Sequence, residues 1–203
     1  DALKKNGVDK NTLVIFTSDN GPWVAYGNHA GKTPFREAKA TSFDGGTRSA
    51  CIMKFPGQIP AGKVSDQAFC TIDLLPTISH ITGAELPVND IDGMDVTDIV
   101  MSKPGAVNPH DYYAFSIVDH LEVVMTGDGH WKLHLPHNYR SLAVPGKDGL
   151  PGKYDARSIG LSLFDMKDDP GETTNVILQH PDIAIKLQKF ADQHLENFYN
   201  EPE

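Results

Sequence analysis

Asp19 and Asn20 stand side by side just beyond a short apolar run, Leu13-Val14-Ile15-Phe16, and are followed by Gly21-Pro22. A carboxylate next to an amide carbonyl offers two hard oxygen ligands, the chemistry that Ca²⁺ or Mg²⁺ takes. The segment from Gly21 to Arg48 then brings Lys32, Arg36, Lys39 and Arg48 into a chain whose net charge is -9. A local positive excess beside a candidate cation site suits an anionic group such as phosphate or sulfate. Two plainer readings compete. Asp-Asn-Gly-Pro is a common way to end a strand, because Asn and Gly tolerate positive φ, and a basic loop is often only a solvated surface.

These residues need elements to hold them. The run Leu13–Phe16 is too short for a helix and rich in β-branched and aromatic residues, so it reads as a strand buried on both faces of a parallel or mixed sheet. In open α/β sheets ligands bind beyond the carboxyl ends of such strands, where Asp19 and Asn20 fall. Gly21 to Arg48 carries no apolar period and reads as a long loop, either functional or disordered. Ser49 to Phe55 reads as a second buried strand and Val64 to Phe69 as a short one. Asp73 to Gly83 reads as a helix with Asp73 at its N-cap, Leu74, Leu75, Ile78 and Ile81 along its buried face, and Gly83 ending it. His80 reads as a helix-surface or satisfied core residue rather than a ligand. Glu85 to Pro109, rich in Pro, Gly, Asp and Asn, reads as a linker between two units.

From Asp111 the texture changes. Tyr112–Ile117, Leu121–Thr126, Trp131–Leu135 and Leu161–Asp165 are short strand-like runs, with Gly127-Asp128-Gly129 as a hairpin turn. Pro136 to Gly160 reads as a second long loop, carrying His137 and Arg140. A final helix runs from about Pro181 to Phe198, with Ile183, Leu187, Phe190, Ala191 and Phe198 on one face. The expected fold is therefore α/β. Residues 1–105 form part of a sheet flanked by helices, and residues 106–203 form a small antiparallel sheet with a packed helix.

With 39% hydrophobic and 22% charged residues the chain can bury a core. Its acidic balance argues against nucleic acid or an anionic membrane surface as a main partner, and no apolar stretch reaches membrane-spanning length. Cys51 and Cys70 lack metal-finger spacing. Cys51 sits in the apolar run Ala50-Cys51-Ile52-Met53 and reads as a buried structural thiol; a disulfide between the two stays open. Asp1 to Gly7 reads as the tail of a helix, as if the chain were cut from something longer.

Several stretches together resemble the C-terminal half of the arylsulfatase family: Leu13 to Gly21, Arg36-Glu37-Ala38-Lys39-Ala40-Thr41-Ser42-Phe43-Asp44-Gly45-Gly46-Thr47-Arg48, Thr71 to Thr77, Asp92-Gly93-Met94, and Leu163 to Asn175. Their order and spacing, which span nearly the whole chain, carry the likeness. Asp44 stands where the family commonly has Glu, and Ser49-Ala50 where a branched residue and Pro are common.

The resemblance implies an alkaline-phosphatase-like sheet and sulfate-ester hydrolysis. It implies Asp19 and Asn20 as ligands of a divalent cation, usually Ca²⁺, Lys39 as the catalytic and sulfate-binding lysine, and His137 as a substrate-pocket residue. Arg36, His29 and Arg140 are candidates for substrate recognition by location. The implied substrate is a sulfate ester or sulfated sugar, and the implied compartment periplasmic, secreted or lysosomal. The formylglycine motifs Cys-x-Pro-x-Arg and Ser-x-Pro-x-Arg do not occur. The chain alone is therefore expected to be inactive, with weak cation occupancy or none, and to need an N-terminal half. The alternatives are a non-catalytic binding or assembly module, and a phosphate or phosphonate ester hydrolase.

Overall fold

Local sequence signals set most of the elements. In the computed structural model, which describes residues 1–29 and 32–199, they run α1 (Ala2–Lys5), β1 (Val14–Thr17), α2 (Asp44–Thr47), β2 (Cys51–Lys54), α3 (Leu74–Thr82) and α4 (Thr97–Val100). There follow β3 (Tyr112–Ile117), β4 (His120–Thr126), β5 (Trp131–His134), β6 (His137–Val144), β7 (Lys153–Ile159), β8 (Ser162–Asp165) and α5 (Pro181–Tyr199). The architecture is mixed α/β. The chain divides into two compact units, Asp1–Asp19 with Ala50–Asp111, and Asn20–Ser49 with Tyr112–Glu203. No helix among the described residues is long and apolar enough to cross a membrane.

In the first unit β1 pairs antiparallel with β2, Ile15 opposite Met53 and Phe16 opposite Ile52. The two strands are not buried on both faces, as the apolar runs suggested. Ile15 and Met53 turn to the half-buried face, while Phe16 and Ile52 are 68% and 64% exposed. Alternation along a strand sends successive side chains to opposite faces, and this unit covers only one of them. Cys51 is correspondingly exposed rather than buried, and both cysteines are free thiols.

Helix α3 ends as its sequence dictates, on Gly83 in the left-handed region at φ 71°. Its inward face differs from expectation. Pro76, Thr77 and Ser79 are buried, while Leu75 and Ile78 stay exposed. Ile78 and Ile81 instead line an open groove of about 590 Å³ with Leu13, Ile15 and Phe55. Asp73 occupies the N-cap position of α3 as expected, but its side chain makes no capping bond there. Its fully buried carboxylate accepts the Cys70 N–H at 2.8 Å and the Met94 N–H at 3.0 Å, and lies 2.6 Å from His110 Nε2. Thr77 Oγ1 accepts the Val96 N–H at 2.9 Å. Polar anchoring thus turns the helix, and Val96, Ile99 and Val100 form the buried cluster of this unit, with Met53, Ile59, Phe69 and Ala106 around it. The expected linker therefore supplies core residues, and Val64 to Phe69 forms no strand. His80 takes the surface alternative of its two readings, paired with Asp95 at 2.6 Å.

The second unit carries a four-stranded antiparallel sheet in the order β3-β4-β5-β8. Gly129, at φ 71°, closes the β4–β5 turn by donating to Thr126 O at 2.8 Å. Leu121, Val124, Leu133 and Leu163 of the sheet pack against Ala184, Leu187 and Ala191 of α5. Pro136 to Gly160 is a hairpin rather than a loop: β6 and β7 pair with Tyr139 opposite Arg157 and Leu142 opposite Tyr154. The apolar residues of β6 bunch at its end, Leu142-Ala143-Val144, and β7 offers only Tyr154, Ala156 and Ile159, too little apolar period to announce the pair. The 24–29 segment lies against this hairpin. The Gly152 N–H donates to Ala25 O at 2.6 Å, and a Cβ on Gly146 would come within 1.8 Å of that carbonyl.

Leu187 is fully buried at the centre of the sheet–helix contact. Leu187→Ala should therefore cost about 2–5 kcal/mol, the transfer loss plus an unfilled cavity, and lower the midpoint of chemical unfolding without changing its slope.

Candidate active site

Four ionisable side chains meet in the interior of the second unit. Lys132, on β5, is fully buried; its Nζ lies 2.8 Å from Asp44 Oδ1 and 3.0 Å from Glu172 Oε1. The other oxygen of Glu172 accepts the Asp44 N–H at 2.7 Å, and Glu172 Oε1 is 2.8 Å from His134 Nε2. Burial opposes the Glu172 charge, but Lys132 and His134 outweigh it and hold the carboxyl below its ordinary value. Burial dominates at His134 and lowers its pKa to about 4, against the Glu172 hydrogen bond that favours the proton. The imidazole is therefore neutral at neutral pH, with Nε2–H donating to Glu172 and Nδ1 buried without a partner among the described residues.

This cluster fastens the segment carrying Lys39 to the sheet. Phe43 is fully buried and stacks on His134 at 4.6 Å. The Arg36 guanidinium lies 4.2 Å from the Phe43 ring centre, donating to Glu172 O at 2.6 Å and to the Tyr139 hydroxyl at 3.0 Å. Residues 36–41 form an arch over Gly45 and Gly46. A Cβ on Gly45 would lie 2.2 Å from the carbonyl oxygens of Arg36 and Glu37. Within the arch Glu37 and Ala40 adopt φ of 56° and 66°, conformations that L-residues hold only when neighbours enforce them.

Lys39 sits between those two residues. Its N–H donates to Pro22 O at 3.2 Å, its carbonyl accepts from Arg140 Nη2 at 3.3 Å, and its Nζ donates to Asn20 Oδ1 at 2.9 Å. Asn20 and Lys39, nineteen residues apart, are thus in contact. Asp19 is exposed and ends the stretch belonging to the first unit. Among the described residues no group of three or more His, Cys, Asp and Glu could hold a metal ion.

The other anticipated residues are more enclosed than a loop reading suggests. His137 is buried, with Nδ1 2.7 Å from Leu135 O and Nε2 3.5 Å from Glu122 Oε2. Arg36 makes the structural contacts above. The side chain of His29 lies outside the described residues. Arg140 lies 4.7 Å from the Tyr154 ring centre. These two line a cavity of about 110 Å³ with Val24, Glu37, Ala38, Lys39, Thr41 and Leu142. Arg140 Nε and the Tyr154 hydroxyl are buried with no partner among the described residues, a condition that costs about 1–3 kcal/mol for each group. Sequence reasoning overlooked Lys132, His134, Tyr154 and Glu172. Glu172 alone lay within a quoted motif; the others belong to strands whose partners are distant in sequence.

The comparisons with known proteins agree with this geometry in giving a family. The Sulfatase family model matches residues 1–84, a stretch containing Asp19, Asn20, Arg36 and Lys39. Arylsulfatase A of Bos taurus is 30% identical over 189 residues, covering 90% of this chain and 36% of that protein. N-acetylgalactosamine-6-sulfatase of Mus musculus is 35% identical over 136 residues, covering 66% of this chain and 25% of that protein. The crystal structure of PsFucS1 sulfatase from Pseudoalteromonas sp. matches at a TM-score of 0.81 and 26% identity, over 98% of this chain and 40% of that one. The chain belongs to the sulfatase family and shares the alkaline-phosphatase-like fold of its solved members. It spans about a third of the length of the curated relatives it matches.

Removing Lys132 leaves two buried carboxylates facing each other. Lys132→Met should destabilise the second unit by about 3–5 kcal/mol, measured by denaturant unfolding. The pH response follows from His134. Its folded pKa of about 4 lies below the ordinary 6.5, so the unfolded chain binds the extra proton between those values. This contribution to stability is complete above pH 6.5 and is lost as pH falls towards 4. The unfolding free energy should fall there by up to about 1.4 kcal/mol per pH unit, and His134→Gln should flatten that window.

Proposed function

We propose that this chain is the part of a sulfate-ester hydrolase that grips the sulfate group and contributes two cation ligands. The observation carrying this reading is the 2.9 Å contact between Lys39 Nζ and Asn20 Oδ1, inside the residues matched by the Sulfatase family. An ammonium is a compact charge with three donors. Held on the arch, Lys39 would donate to the sulfuryl oxygens and stabilise charge that builds on them as the ester bond breaks.

Asp19 and Asn20 fit a hard divalent cation in kind, as a carboxylate and an amide oxygen. They provide two of the six to eight oxygens Ca²⁺ takes. In this proposal they hold Ca²⁺ together with ligands from outside this chain. When bound, the cation supplies positive charge against the sulfate. The nucleophile is assigned outside this chain too, since neither Cys-x-Pro-x-Arg nor Ser-x-Pro-x-Arg occurs in it. The exposed Phe16 and Ile52 and the apolar groove beside α3 support docking of the rest of such an enzyme on the first unit. His137 and Arg36 are proposed to shape the substrate pocket. The proposed substrates are sulfated sugars or aryl sulfates. The sugar reading draws on the relative named N-acetylgalactosamine-6-sulfatase.

The whole gene product should hydrolyse an aryl sulfate at least about 100-fold faster than the matching aryl phosphate, and Lys39→Ala should lower kcat/KM by about 10²–10³. Chelation should abolish turnover and Ca²⁺ restore it. A preference for the phosphate would shift the reading to phosphate-ester hydrolysis. A native product with an intact mass of 22.2 kDa and no turnover would leave a non-catalytic module.

A further inference from the structure

Trp23 belongs to the second unit with Lys39, and the sulfate grip does not use its indole. The residue is 45% exposed. A single exposed aromatic is common on any surface, but this one is held and placed. Its backbone is fixed against the arch: the Gly21 N–H donates to Gly46 O at 2.9 Å, and Pro22 O accepts the Lys39 N–H at 3.2 Å. A Cβ on Gly21 would strike the Gly45 carbonyl, so the approach is as close as backbone allows. The indole meets the Tyr26 ring edge to face at 4.8 Å and 84°, and Trp23 O accepts the Tyr26 N–H at 3.2 Å. The Lys39 ammonium lies 6.0 Å from the indole centre. Ring and ammonium are therefore parts of one frame, and a rigid aromatic gives contact area at little cost in side-chain freedom.

We propose that Trp23 is a specificity-determining residue, a platform on which the pyranose ring bearing the ester stacks while Lys39 holds the sulfate. The proposal rests on the Lys39 reading above and adds the side chain that tells a cyclic sugar from an open-chain alcohol. The distances suit one molecule held at both points. An ammonium grips a sulfate oxygen at about 2.9 Å, and a stacked ring sits about 3.5–4.0 Å from the indole. The face of an indole is negative. The flat side of a pyranose carries C–H groups whose hydrogens the neighbouring oxygens make positive, and these complement that face. A planar aryl ring brings a second negative face, which direct stacking disfavours.

The test uses the whole gene product and a panel of hexopyranose monosulfates, each paired with the sulfate of its open-chain alditol. The best pyranose substrate should exceed its alditol partner by at least about 10-fold in kcat/KM. Trp23→Ala should remove that preference by raising KM for the pyranose alone, with kcat nearly unchanged, the pattern of lost uniform binding. Trp23→Phe keeps an aromatic face and should restore most of the preference. Should Trp23→Ala fail to fold, Trp23→Leu keeps apolar bulk without that face and takes its place. Phe198→Ala removes a ring exposed on α5 and should leave the preference intact. Binding of the desulfated pyranose, followed by calorimetry, should weaken at least about 5-fold in Trp23→Ala. No pyranose preference in the wild type, unchanged binding of the desulfated sugar, or equal loss of turnover on both partners would each overturn the proposal. Equal loss would make Trp23 a packing contact of the enzyme. Lys39→Ala should instead depress turnover of pyranose and alditol sulfates alike and leave binding of the desulfated sugar unchanged. Undiminished turnover there would overturn the Lys39 assignment, whatever the Trp23 variants show.

Discussion

One buried lysine between two carboxylates determines how the second unit is assembled. Lys132 comes from a central strand, Asp44 from the segment carrying Lys39, and Glu172 from the turn after β8. Each charge alone would be too costly to remove from water. Together they fix three distant pieces of chain at one point, and the Asp44 N–H and His134 complete the acceptor set of Glu172. Such a cluster need not add much net stability over apolar packing. Its effect is positional: it ties the segment carrying Lys39 and the turn after β8 to β5.

That arrangement explains how a stretch with no apolar period comes to be ordered. Residues 36–48 bury one large apolar side chain, Phe43, and otherwise rely on polar and aromatic contacts. The strained backbone at Glu37 and Ala40 is held by the close approach of Gly45 and Gly46 and by ties to the β6–β7 hairpin. The result is a lysine whose backbone is bonded on both sides and whose ammonium reaches Asn20. Side chains that must grip a small anion gain from this kind of preorganisation, because little freedom is left to lose on binding.

The first unit works by a different balance. Asp73 and Thr77 satisfy backbone donors of the segment that follows, so α3 presents polar residues inward and leaves Leu75 and Ile78 outside. Its ribbon likewise has one face on the unit and one carrying Phe16 and Ile52 outward. Apolar faces of this kind on a sheet and an adjoining helix are the surfaces a larger α/β layer covers.

The sequence by itself determined the local elements and the family. Gly83 and Gly129 stop or turn the chain because only glycine takes those dihedrals at no cost. The period of α5 was legible because it buries one face against a continuous core, and β3, β4, β5 and β8 were legible as short strand-like runs bounded by turn residues. The ordered motifs around Asp19, Lys39, Asp73 and Glu172 were legible as a family likeness. Only the tertiary structure decided which faces are covered, that Pro136 to Gly160 is a hairpin, and that Cys51 is exposed. It alone brought Arg140, Tyr154 and Lys39 around one cavity, and Lys132, Asp44, Glu172 and His134 into one cluster. The reason is physical. Periodicity reports how a segment meets the nearest apolar surface, whereas a polar contact between residues 88 or 128 positions apart leaves no periodic trace in either partner.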